Sequence, residues 1–248
     1  RLFAPFITRA VREDKPHYIT RLSVAFWSTI LPSIAAGAFA GACYFFLDAF
    51  HVLRLDIAPL VSIALAVGVA VYFVSKLANA VLSPANGHWR LVRVSDRGAS
   101  LLWLSIFSMA IVNGADYFLG SVSEVLGSPV VLTVVKSFFA SIIIGLLLIA
   151  SAFIRPVVGE DERPDAPGRA WPRAIALTLI LTGVGLIAAA LLGYVGMARF
   201  VATQIVITGA ILVTMYIGLL SGRAVSAQNA FAETAVGKRL AARFGLGE

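Results

Sequence analysis

Long apolar runs alternate with short polar connectors along the whole chain. Six runs stand out, at about 22–47, 58–82, 99–120, 130–154, 173–195 and 200–220. Each supplies roughly the 20 apolar residues that a helix needs to cross a hydrocarbon layer about 30 Å thick. The runs lack the polar–apolar alternation of barrel strands and are too long for them. Backbone groups in lipid must be satisfied within the span, so the pattern predicts helices. The expected fold class is all-α, a polytopic transmembrane protein of about six spanning helices arranged as hairpins.

Composition sharpens this reading. The chain is 59% hydrophobic and only 13% charged, with a mean hydropathy of +0.90. A soluble domain carries about a quarter charged residues, so much of this apolar surface has to face lipid. The net charge of +7 alone would suggest nucleic acid. The basic residues, however, sit in the connectors rather than along one folded face, which points to membrane lipids as partners and not to nucleic acid. Counted from the N-terminal flank to the tail, Lys and Arg number five, one, four, one, four, one and four. The positive-inside rule then puts both ends of the segment in the cytoplasm. The expected organisation is a cytoplasmic flank at 1–21, a four-helix region at 22–154, a proline-rich cytoplasmic loop at 155–172 and a transmembrane hairpin at 173–220. Residues 221–248 read as a basic amphipathic helix at the inner surface or as an ordinary connector helix. The chain begins at Arg1 without a methionine and stops at Glu248 within helical pattern, as an internal segment of a longer protein would.

Candidate chemistry is sparse. Cys43 stands alone, and His17, His51 and His88 lie in three separate places, so no disulfide or metal set is expected. No nucleophile–base pair emerges, so no enzyme and no cofactor are expected. Span centres are Leu, Ile, Val, Ala and Gly, without the midplane carboxylates or histidines of a coupled transporter. Asn113 and Asp116 share one face of the third span, and Lys136 enters from the fourth. Two readings are open: an Asp116–Lys136 pair across the hairpin, or Asp116 at the interface about one turn from the outer surface while Lys136 snorkels outward. The second is preferred, since both residues lie near helix ends. Gly37 and Gly41 form a GxxxG step suited to close helix packing, and "GVGLIAAALLGYVG" lines the fifth span with small residues.

The stretch "SPANGHWRLVRVSDRGAS" (83–100) concentrates basic and aromatic residues between two spans. Trp89, Arg90, Arg93 and Arg97 suit the lipid interface, and Ser95 or Asp96 suits a helix cap. Topology alone, or a short interfacial element that transmits membrane stress, would explain it. Pro84, Trp89, Arg90, Leu91, Val94, Ser95 and Asp96, followed by "NGADYFLG" and "GSPVVLTVVKSFFASIIIGLLL", resemble the membrane region of large bacterial MscS-like mechanosensitive channels. The resemblance is to the subgroup with an extra N-terminal periplasmic domain of the DUF3772 type, and it covers about the first 155 residues. It implies an inner-membrane, lipid-facing layer around a pore in a homo-oligomer, heptameric in that family. Its role there would be to couple bilayer tension to a gate that lies outside these 248 residues. A secondary transporter, a lipid-handling protein or a structural assembly module is the alternative.

Overall fold

The computed structural model describes residues 18–54, 56–85, 90–92, 94–159 and 168–226, with side chains from 26 to 219 within those ranges. Among the described residues six helices follow one another: α1 Tyr18–Ala49, α2 Ala58–Leu82, α3 Asp96–Val125, α4 Val130–Phe153, α5 Arg173–Leu191 and α6 Val195–Ser226. All six are long and apolar enough to cross a membrane. Among the described residues there is no strand beyond isolated bridges. The protein is therefore an all-helical, multi-pass membrane protein. Its exposed Phe39, Phe45, Leu132, Leu181 and Ile211 form part of the lipid face.

The helices pair as hairpins, and three of the turns share one chemistry. α1, α3 and α5 each end on a residue with positive φ: His51 (55°), Gly127 (59°) and Gly193 (88°). After α3, the Gly127 N–H reaches the Glu124 carbonyl at 3.2 Å and the Ser128 N–H reaches Ser123 at 2.9 Å. Gly193 and Tyr194 repeat this after α5, as do His51 and Val52 after α1. This is the Schellman arrangement, which satisfies the orphan carbonyls of a helix end. Gly127 and Gly193 meet the left-handed backbone at no steric cost, and His51 belongs to the few residue types enriched there. The three turns lie on one side of the bundle, the far side. The near side carries the ends at Leu82, Asp96, Phe153 and Arg173.

Three helices exceed their expected spans, α1 by a few residues at each end. α3 starts at Asp96, because Ser95 caps it by accepting the Gly98 N–H, and continues to Val125. α6 runs from Val195 and enters the expected amphipathic tail up to Ser226. The rest of that tail, residues 227–248, lies outside the described residues.

The tightest helix contact is between α4 and α5. A Cβ on Gly183 would lie 2.6 Å from the Gly145 carbonyl, and one on Gly145 would lie 2.8 Å from the Gly183 carbonyl. Without a hydrophobic force between helices in lipid, such backbone approach is a main source of association. The expected GxxxG step behaves differently. Gly37 only grazes Val69, and Gly41 has nothing within 4 Å. The notch on α1 faces the larger Leu65, Val69 and Phe73 of α2, and a groove of about 590 Å³ remains between them. Gly145 and Gly183 instead face each other. Gly183→Ala is expected to cost about 1–3 kcal/mol by overpacking, measured by reversible unfolding in bicelles, while Gly41→Ala should be nearly neutral.

The main core joins Met109 of α3, Ile144 and Leu148 of α4, Leu186 and Ala190 of α5, and Ala198 and Ala202 of α6. A second cluster joins Leu77 of α2 and Ile217 of α6, with Phe26 of α1 packed against them. α6 thus belongs to both clusters and touches all five other helices.

Candidate functional site

Two polar constructions stand out, one on each side. On the near side, Arg90 is buried rather than turned to the interface, with its side chain only 3% exposed. Its Nε donates to the Leu82 carbonyl at 2.8 Å, one of the orphan carbonyls at the end of α2. Nη1 donates to the Val94 carbonyl, and Nη2 meets Asp96 Oδ1 at 2.7 Å. One guanidinium thereby closes α2 and supports the start of α3, with Asp96 suitably placed in the first turn of α3. This corrects the expected lipid-facing role of Arg90: the local backbone offers it two carbonyls and a carboxylate. Arg97 is exposed. Trp89 and Arg93 lie outside the described residues.

The same region grips the start of the 155–172 connector. The Ser95 N–H donates to the Pro156 carbonyl at 2.7 Å, and its hydroxyl donates to Arg155 at 3.3 Å. Val157 exchanges two backbone hydrogen bonds with Arg169, and Trp171 Nε1 donates to the Ser151 carbonyl at 3.1 Å. Gly98 and Gly168 leave the room this needs, since a Cβ on either would collide with Pro156 or with the Arg155 carbonyl. The near side is thus a clamp joining α2, α3, α4 and the connector to α5. Gly98→Leu is expected to open it, seen as faster amide exchange at Ser95 and Val157.

Toward the far side, Asp116 receives three side chains. Lys136 Nζ reaches its Oδ1 at 3.2 Å and its main-chain carbonyl at 2.9 Å. The Ser137 hydroxyl donates to Oδ1 at 2.7 Å. Arg199 Nε donates to Oδ2 at 2.7 Å. One turn away on α3, Asn113 Oδ1 accepts from the Thr203 hydroxyl at 3.0 Å. Asp116 is 4% exposed, Lys136 12% and Arg199 36%.

Here the structure chooses the pair over the snorkelling arrangement that the sequence favoured. Asp116 lies nine residues before the end of α3, about 13 Å in at 1.5 Å per residue, because α3 runs on to Val125. At that depth a bare carboxylate would be costly, and its neighbours neutralise it. Arg199 was missed, because it sits some 80 residues away on another hairpin. One signal did point to it. Only three basic residues fall on the poorly basic side, Arg54, Lys136 and Arg199. Two of these three converge on Asp116, while Arg54 pairs with Asp56 at 3.0 Å in the open.

The triad borders a groove of about 820 Å³ walled by α2, α3 and α6. Asn113, Asp116, Tyr117, Arg199 and Thr203 stand toward its far end, and Val71, Phe73, Ile207 and Met215 are among the apolar residues lining the rest. Among the described residues, no buried side-chain nitrogen or oxygen lacks a partner. Asp116, Lys136 and Arg199 together carry one net positive charge, at the far end of a mainly apolar groove. No family model, no curated protein and no solved structure matches the chain.

Proposed function

We propose that this multi-pass protein is the tension-sensing membrane region of a mechanosensitive channel. It would sit in a bacterial inner membrane as part of a homo-oligomer, with the basic near side in the cytoplasm. The observation that carries the reading is unequal attachment along the bundle. On the near side, α2, α3 and α4 are tied together through Arg90 and Ser95. Away from that clamp, α2 and α6 are separated by the lipid-accessible groove. Tension shifts an equilibrium only if its states differ in membrane area or shape, as a ligand needs differential affinity. A bundle whose α2 is tied to α3 and α4 on the near side but parted from α6 along the groove has such states available, and a thinning bilayer would bias them through mismatch and tilt.

Spin-label distances in liposomes test this. On a Cys43→Ser background, A64C with F200C reports the far side, and L101C with F153C reports the near side. Adding lysolipid to one leaflet is expected to lengthen the first distance and leave the second unchanged. Equal responses, or none, would overturn the reading.

A further inference from the structure

We infer that the groove between α2, α3 and α6 is a binding site for an anionic phospholipid of the far-side leaflet, with its phosphate held by Arg199 and one acyl chain lying along the groove. This site stands independently of tension sensing, because it rests on charge and shape alone. Asp116 is shared by two cations, so the triad keeps one unit of positive charge that no described side chain offsets. Asp116 and Arg199 both line the groove, and Arg199 is the most exposed of the three. It spends Nε on Asp116, which leaves its terminal nitrogens for a second anion. A glycine, Gly120, lies beside them: a Cβ there would come within 3.3 Å of Arg199 Nη2 and 3.1 Å of Lys136 Nζ.

Depth fits the same occupant. The Arg199 backbone is four residues, about 6 Å, from the start of α6, and its side chain reaches from there down to Asp116, so the guanidinium lies between the headgroup level and the acyl chains. From Arg199 to Met215 the groove follows α6 for 16 residues, about 24 Å, which exceeds the roughly 15 Å depth of one leaflet and accommodates a whole acyl chain. Its walls are mainly Val, Ile, Phe, Ala and Met; besides the triad its polar side chains are Asn113, Tyr117 and Thr203 at the far end, where Thr203 donates to Asn113, and Thr214, whose hydroxyl is bound to Ala210. The site therefore fits a lipid with one anionic head and an apolar tail. A zwitterionic head would bring its own cation against Arg199.

Native mass spectrometry of the purified chain, released from detergent after equilibration with phosphatidylglycerol and phosphatidylcholine of identical acyl chains, tests the proposal. Phosphatidylglycerol is expected to be retained about tenfold better, because both lipids offer Arg199 the same phosphate and only phosphatidylcholine sets a cation against the net positive charge of the triad. Arg199→Gln should abolish the preference while leaving weak binding of both lipids. Ile207→Trp, two turns away, should fill the groove and abolish retention of both, with the triad intact and thermal stability unchanged. Equal retention of the two lipids by the unmodified chain would overturn the proposal, as would undiminished phosphatidylglycerol retention by both variants. Retention of oleate but not phosphatidylglycerol would make the occupant a free fatty acid. Lipid-free oligomers that Ile207→Trp breaks into single chains would make it a second copy. Either of these results also overturns the proposal.

Discussion

Asp116→Ala is expected to destabilise the bundle by about 3 kcal/mol, the low end of the cost of breaking a buried ion pair from one side. The loss comes less from the missing attraction than from what remains. Lys136 and Arg199 would face each other near Gly120 with no counter-charge, on helices held together by the main core. The low end applies because Lys136 lies six residues and Arg199 four residues from their helix starts, so both can bend toward the far surface. Asp116→Asn retains the shape and an acceptor for Ser137, and should lose less. A double-mutant cycle of Asp116→Ala with Arg199→Ala, followed by unfolding in bicelles, checks the origin. Coupling of about 0.5–3 kcal/mol is the expected range for residues in contact, and strictly additive losses would mean that the triad contributes nothing as a unit. A second cycle with Lys136→Ala divides the carboxylate between its two cations.

Arg90→Met is the second large effect, at about 3 kcal/mol. The substitution keeps much of the apolar stem but removes the donors to the Leu82 and Val94 carbonyls and the partner of Asp96. A buried acceptor left without its donor costs about 1–3 kcal/mol, and two are left here. Arg90→Lys should recover little, because an ammonium cannot meet three acceptors with the geometry of a planar guanidinium. Hydrogen exchange locates the damage: protection should fall at Leu91, Ser95 and Val157 and stay unchanged at the main core around Ile144. A uniform loss across all helices would show that the clamp is no separate unit.

The two constructions differ in how far the sequence revealed them. Ser95 as a helix cap is local chemistry, since a serine three residues before Gly98 needs no tertiary partner to accept its N–H. Arg90 looked like an interfacial arginine because its acceptors are mostly main-chain carbonyls, which are invisible in a string of side chains. Asp116 and Lys136 were placed on facing helices correctly, but the depth of Asp116 depended on where α3 stops. That stop is set by Gly127, a residue read as part of a connector. Arg199 lay outside the reading altogether, and the weak clue was its position on the side where basic residues are rare.

By itself, the sequence determined that the chain spans a membrane six times as helices in hairpins. Transfer into lipid is nearly additive over a run of residues, and lipid leaves the backbone no alternative to internal hydrogen bonding. Only the tertiary structure decided which charges meet, which glycines touch and where the groove lies. Those outcomes depend on the rotation and register of each helix. Both follow from how small and large residues on different hairpins fit together, as Gly145 against Gly183 shows beside the unmatched notch at Gly41.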